Sequence, residues 1–525
     1  MTTSTTPAHS ENSTSAAAEA AARLDALWAE IRDLRSAQDL LSWDQETMMP
    51  AGGVAGRSRL AATLAGLKHR KLVDPELGDA LAACEAVAGD DDALAAKVRV
   101  ARLDVDRAVK VPEDLVRELA AVGSEGLATW QQAKVEADFS KFRGVLERLV
   151  DLRRQEAAAI DPEARPYDVH LDAFEPGSTE AELEPLFANL RSELGSLVRA
   201  AVESGVEIDE APVLGQFETS AQEAFGREMS AAVGFDYQRG RLDPTAHPFC
   251  IGIDPDDVRL TWRAQDDDFR PALFGILHET GHGLYEQGLG LAERGTPLGD
   301  AVSLGIHESQ SRLWENHVAR SRSFWRWATP RFRHHFPGHP VEQDLDRWLD
   351  RLWPALHTVR PSLIRTEADE ATYNLHIVVR FELERALFAD DVRVADLPGA
   401  WNDLYRELLG IVPENDAEGV LQDIHWSMGM FGYFPTYTLG TMAAAQLFAA
   451  AERDLGDLDT HFVEGRFDAL LDWLRDRIHR HGSRHTAATL IERATGEPLG
   501  SEALVRYLGA TVSEAYGLPL EPSAR

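Results

Sequence analysis

The sequence predicts a mainly α-helical protein, one large helical unit of two lobes carrying a single small β-sheet. Three observations carry that reading. Apolar residues recur at the helical period along most of the chain, the breaks fall at Pro and Gly clusters, and one stretch at about 230–265 departs from the pattern.

The first clear stripe is Leu24, Leu27, Trp28, Ile31 and Leu34, spaced by three and four residues so that one helix face is apolar. The residues before it are rich in Ser, Thr and Ala, and residues 1–20 are expected to form a disordered tail. Further stripes run through Leu146–Leu152, Leu183–Leu197, Leu345–Leu356 and Leu470–Ile478. Met49-Pro50-Ala51-Gly52-Gly53 and Glu175-Pro176-Gly177 read as breaks between helices. Segments Tyr237–Leu242 and Val258–Trp262 hold β-formers flanked by Asp, Pro and Gly, and predict two or three short strands. The chain shows no repeat of fixed period and no linker after the tail, so residues 21–525 are expected to form one domain.

The charge limits the partners. With 53 Lys and Arg against 87 Asp and Glu, the formal net charge is −34. Such a field repels phosphate backbones and anionic lipid, so neither nucleic acid nor membrane is an expected partner. Only Cys84 and Cys250 are present, too few for a disulfide framework, which fits a reducing cytoplasm. The opening residues lack the basic and apolar regions of a secretory signal, and no apolar run approaches the ~18–20 residues of a membrane span.

The chemistry concentrates in Phe274-Gly-Ile-Leu-His-Glu-Thr-Gly-His-Gly-Leu-Tyr285. On a helix, residues four apart share a face, so His278 and His282 can direct two imidazoles at one ion. Glu279 is turned ~100° away and stands beside that ion, where it can take a proton from water. Zinc suits imidazole ligands, with cobalt or manganese as substitutes. A catalytic centre needs a third protein ligand and one open position. The longer metzincin pattern would need Gly at 285 and His at 288, where the chain has Tyr285 and Gly288. The third ligand is therefore expected to be a later carboxylate, with Glu286, Glu293, Glu308 and Glu315 as candidates. Glu286, one turn beyond His282, is better placed to brace the site than to bind. Glu308 opens an amphipathic helix 26 residues after His282, enough for a loop and a turn back.

These residues belong to a wider set of motifs. His247-Pro248-Phe249, Asp257-Val258-Arg259-Leu260-Thr261, the HExxH at 278–282, His307-Glu308-Ser309-Gln310, Ile364-Arg365-Thr366-Glu367-Ala368-Asp369 and Gly419-Val-Leu-Gln-Asp-Ile-His-Trp426 follow one another in order. In this the chain resembles the carboxypeptidase Taq family of metal-dependent carboxypeptidases, from about residue 25 to the end. Trp43-Asp44-Gln45-Glu46-Thr47-Met48-Met49-Pro50 is similar too. The departures are Trp262, where a small polar residue is expected, and the apolar Ser427-Met428-Gly429-Met430.

The resemblance implies a helical architecture like that of neurolysin and the angiotensin-converting enzymes, with a small sheet lining the active-site cleft. It implies the ligand set His278, His282 and Glu308, with Glu279 as general base, peptides with a free C-terminus as substrates, and a homodimer. The oxyanion of the transition state needs donors besides the metal. His425 and Tyr433 are the candidates, with Tyr437 as the alternative tyrosine. A free carboxylate calls for arginine's planar fork. The likeness points to Arg365, with Arg360 and Arg259 as rivals and His247 as a further candidate for substrate contact. Asp300, Gln310 and Asp369 are candidates to orient the ligating histidines. Rival readings are an oligopeptidase with no carboxylate anchor and a helical scaffold without activity.

Overall fold

The computed structural model describes residues 9–88 and 92–519. The chain opens with α1 (His9–Thr47), α2 (Val54–Leu72), α3 (Pro75–Ala88) and α4 (Asp92–Lys110). Helices α5 (Glu113–Glu136), α6 (Phe139–Ile160), α7 (Pro166–Phe174), α8 (Glu180–Glu203) and α9 (Thr219–Ala232) follow. The sheet comes next, as β1 (Gly240–Pro244), β2 (Cys250–Asp254) and β3 (Asp257–Trp262). After it come α10 (Arg270–Gly288) and α11 (Leu304–Arg312), and a π-helical turn (Leu313–Val318) extends α11. Then come α12 (Arg322–His335), α13 (Leu345–Leu356), α14 (Glu370–Phe388) and α15 (Leu397–Leu409). The remainder is α16 (Pro435–Leu455), α17 (Leu458–Val463), α18 (Asp468–Arg477), α19 (Ala487–Thr495) and α20 (Glu502–Tyr516).

The helix breaks and stripes fall where the sequence puts them. The N-terminal boundary does not. α1 begins at His9, so residues 9–20 of the expected tail are helical, and residues 1–8 lie outside the described residues. The cause is the alanine-rich run Ala16–Ala22, of high helix propensity, whose Ala17, Ala20 and Ala21 pack on a small core formed by Leu24, Trp28, Leu81 and Val98. Side-chain caps fix the helix starts that matter for the site. Ser303 accepts from the Ile306 amide at the head of α11, and Asp369 accepts from the Ala371 and Thr372 amides at the head of α14.

The sheet has the order β1-β3-β2, with β1 parallel and β2 antiparallel to β3. It starts later than Tyr237, because that residue stays in the turn after α9. Its hydroxyl lies 2.6 Å from the Ser230 hydroxyl, and its ring receives the Arg227 guanidinium at 4.6 Å. Val258, Leu260 and Trp262 point into the core beneath α10. Part of the outer edge of β2 is already satisfied, since Arg32 and Ser36 of α1 donate to the Gly252 and Ile253 carbonyls.

Two large apolar cores organise the rest. The first joins α9, the sheet, α10, α12, α13 and α18. The second joins α6, α8, α14, α15 and α20. α16 serves both, giving Ala443, Ala444 and Leu447 to the first and Leu439, Met442 and Ala445 to the second. Glycines allow the helices of the seam to touch. A β-carbon on Gly440 would stand 2.5 Å from Glu308 Cβ and 2.9 Å from the Gly305 carbonyl, and one on Gly281 would stand 2.4 Å from the Gln310 carbonyl. Gly440→Ala therefore overpacks the α11–α16 contact and should destabilise the fold by about 1–3 kcal/mol. Gly144→Ala, on an exposed face of α6 with nothing within 4 Å, should be neutral or stabilise by up to about 1 kcal/mol. Thermal denaturation of the two variants checks the difference; equal melting temperatures would contradict the close approach.

Candidate metal centre and active site

His278, Glu279 and His282 stand on α10, and Glu308 on α11 packs against it. The ligand atoms of His278, His282 and Glu308 lie within 4.8 Å of one another. Glu308 Oε2 is 3.4 Å from His278 Nε2 and 3.3 Å from His282 Nε2. Ligands placed tetrahedrally about an ion at ~2.0–2.2 Å stand roughly 3.3–3.6 Å apart, so these three residues fit a divalent metal. Glu286, Glu293 and Glu315 are not part of this group.

The electrostatics favour a cation. Glu279, Glu286, Glu308 and Glu315 are enclosed near one another, while Arg312 and Arg320 are the arginines that pair with this set. Burial opposes the charge on Glu308, but Arg312 and His278 hold its pKa well below the usual carboxylate range. Its other oxygen accepts from Arg312 Nε at 2.7 Å, and Ser311 Oγ donates to Oε2 at 2.9 Å. Burial lowers His282 to about 4, whereas at His278 burial is outweighed by the Glu308 and Glu315 carboxylates, which raise that imidazole. Burial pushes Glu279 up to about 7, and the neighbouring Glu308 charge adds to the rise.

The orienting partners of the histidines are not those expected. His278 Nδ1 lies 2.8 Å from Glu315 Oε2. His282 Nδ1 meets His307 Nδ1 at 2.5 Å, and His307 Nε2 in turn reaches Glu286 Oε1 at 2.8 Å. Asp300 instead pairs with Arg32 and Arg35, Gln310 bonds His479, and Asp369 caps α14. The spacing Glu308, Arg312, Glu315 was the available signal, because steps of four and three keep all three on one face. Such ring partners hold imidazoles in register.

A second group of side chains comes from the 365 turn, α14 and the 425–437 segment. Arg365 is 7% exposed; its Nε donates to Asp423 Oδ1 at 3.0 Å, and its Nη2 forms an ion pair with the same oxygen at 2.9 Å. Its Nη1 donates to the Tyr373 hydroxyl at 3.2 Å, and its guanidinium lies 5.0 Å from the Tyr437 ring. Glu367, Asp369 and Asp257, the acids nearest it in sequence or motif, are not its partners. Asp423 also takes Arg380, so two arginines share one carboxylate and leave a surplus positive charge. His425 and Tyr433 have ring centroids 5.1 Å apart, Tyr433 and Tyr437 5.4 Å, and the Tyr437 hydroxyl makes a long 3.5 Å contact with His425 Nε2. Arg312 bridges this group to the metal residues, with its guanidinium 4.3 Å from the Tyr373 ring. Burial, followed by the Glu308 charge, raises the Tyr433 hydroxyl.

Three sequence candidates fall outside both groups. Arg259 forms a two-point ion pair with Asp257, both contacts at 2.9 Å, and lies 4.3 Å from the Trp43 ring, on the sheet face turned towards α1. His247 is exposed in the β1–β2 connection and has no hydrogen bond with any described residue. Arg360 is a surface residue paired with Glu210. Glu315→Gln should weaken metal binding by about 10- to 100-fold with the helical signal intact, because His278 loses its anionic partner; competition with a chelator measures it, and unchanged affinity would remove Glu315 from this role.

Comparison with known proteins identifies the family. The family model described as carboxypeptidase Taq (M32) metallopeptidase matches residues 23–512. Thermostable carboxypeptidase 1 of Thermus thermophilus is 44% identical over 496 residues, covering 92% of this chain and 96% of that protein. Thermostable carboxypeptidase 1 of Pyrococcus furiosus is 36% identical, covering 90% and 94%. The crystal structure of the M32 carboxypeptidase from Deinococcus radiodurans R1 superposes with a TM-score of 0.90 at 39% identity, covering 94% of this chain and 99% of that one. The chain belongs to the carboxypeptidase Taq (M32) family of metallopeptidases.

Proposed function

We propose that this protein is a metal-dependent carboxypeptidase that releases the C-terminal residue of peptides with broad side-chain tolerance. The observation that carries this is one buried assembly holding a His-His-Glu triad, a flanking glutamate and an arginine group of surplus positive charge. Zinc is the proposed metal, with cobalt or manganese able to replace it. When bound, the ion supplies Lewis acidity towards the scissile carbonyl and makes a water readily deprotonated.

The chain's own residues supply the rest. Glu279 takes a proton from the attacking water and returns it to the leaving amine. Next to His278 on α10 and buried beside Glu308, it is placed to serve both halves of that task. Tyr433 and His425 donate to the developing oxyanion, with Tyr437 behind them. Burial lowers His425 to about 4, so it acts as a neutral donor. Arg365 receives the substrate's terminal carboxylate, since Arg380 offsets the charge of Asp423 and leaves that of Arg365 for the ligand. Arg259, held by Asp257, and His247, exposed in the β1–β2 connection, are proposed as further substrate contacts.

The two apolar cores meeting at α16 support the neurolysin-like, two-lobed architecture, with the site at their seam. No helix among the described residues is long and apolar enough to cross a membrane. We further propose a cytoplasmic homodimer with the helical unit, α1 included, as one domain, on the family likeness and cysteine content.

Glu279→Gln should lower kcat by about 10²–10⁴-fold while metal content stays at that of the parent. A variant that cleaves as fast as the parent would rule out Glu279 as the base. Amidation of the substrate's C-terminus should remove most activity, whereas an oligopeptidase would keep it. Arg365→Met should raise KM by about ten- to a hundredfold for the free-acid peptide and change hydrolysis of its amide little. Timed release of amino acids from a mixed peptide, with and without chelator, reads both the order of cleavage and the metal requirement.

A further inference from the structure

α14 presents Tyr373, His376, Arg380 and Glu384, four buried polar side chains, to the segments that carry Arg365, His425 and Tyr433. Three of them have partners that serve the reading above: Tyr373 bonds Arg365, Arg380 bonds Asp423, and Glu384 holds the 425–433 segment. Glu384 is fully buried, and no arginine or lysine among the described residues forms an ion pair with it, because Arg380 one turn earlier is committed to Asp423. Its Oε1 accepts from Trp426 Nε1 at 2.7 Å. Its Oε2 accepts from the Gly432 amide at 2.9 Å and the Tyr167 hydroxyl at 3.0 Å.

Trp426 follows His425 and Gly432 precedes Tyr433. One carboxylate therefore ties down both ends of the segment between the two proposed oxyanion donors. The backbone there has no slack of its own. Gly432 has φ +82°, and a β-carbon on it would stand 2.6 Å from the His170 carbonyl, so this turn is pressed against α7. A packing role alone would be met by an apolar side chain at lower desolvation cost. What a carboxylate adds is two acceptor atoms at fixed separation for an indole N–H and a backbone N–H. Burial pushes Glu384 up to about 7, a sign of how much desolvation this arrangement carries.

We infer that Glu384 is a positioning residue of the reaction, clamping the 425–433 segment so that His425 and Tyr433 converge on the oxyanion. The inference rests on the roles proposed for those two side chains. Glutamine keeps the shape of Glu384 but turns one acceptor into an N–H₂ donor, which then faces Trp426 or Gly432, both donors.

The test is steady-state kinetics on purified, metal-loaded enzyme. The variants are Glu384→Gln, Tyr433→Phe, their double variant and His425→Ala. Glu384→Gln should lower kcat by on the order of ten- to a hundredfold with KM within about twofold and metal content unchanged. The double variant should fall little below Tyr433→Phe alone, since both changes remove the same donor geometry. Val198→Ala, a core change on α8, should lower the melting temperature and leave kcat at the parental value. Parental kcat in Glu384→Gln, or losses that multiply fully in the double variant, would overturn the inference while leaving the oxyanion donors in place. Parental kcat in both Tyr433→Phe and His425→Ala would overturn the donors themselves, and the inference with them. If Glu384→Gln does not fold, Trp426→Phe removes one of the three bonds without touching Glu384. It should lower kcat at least about threefold at unchanged KM, and parental kcat there would overturn the inference equally.

Discussion

The constraint on which the site depends is the enclosure of the Glu308 carboxylate. A buried charge is tolerable only when paired and hydrogen-bonded. Arg312 and Ser311 satisfy Glu308 from its own helix, and Oε2 remains directed at His278 and His282. Arg312 also reaches Glu315, which holds the far nitrogen of His278. One arginine thus links the third ligand, the orientation of the first and, through Tyr373, the arginine group beyond. The remaining excess of buried carboxylates is the charge that a divalent cation offsets.

The second constraint is geometric. The triad stands on helices of one apolar core, and Arg365, His425 and Tyr433 stand on elements of the other. They meet because α16 is shared by both cores and carries glycine where α11 must pass. Gly440 brings the helix backbone against Glu308, and Tyr437 lies one turn earlier on α16, facing His425 and Arg365. The sheet contributes by position too. Gly252 of β2 leaves room for the Glu286 carboxylate, which is then free to hold His307 and, through it, His282.

Much of this was legible in the residues. The helical period marked the elements because burial of one face is what stabilises them. The i, i+4 histidines are a local relation and survive any tertiary arrangement. What was misread has a common cause. Asp300, Gln310 and Asp369 were plausible partners for the histidines, but a partner is chosen by distance in space, and Glu315 and His307 were nearer. Composition alone does not mark the end of the tail, because alanine-rich sequence helps a helix wherever there is a surface to pack on.

The sequence by itself determined the helical class, the pair of histidines, the glutamate beside them and, through its ordered motifs, the family. These rest on short-range periodicity and on motifs that identify themselves. Only the tertiary structure decided which carboxylates orient the histidines, that Asp423 is shared by two arginines, and that Glu384 grips both ends of the 425–433 segment. Each of those joins residues brought together by packing across the chain, and no spacing along the sequence encodes a distance of that kind.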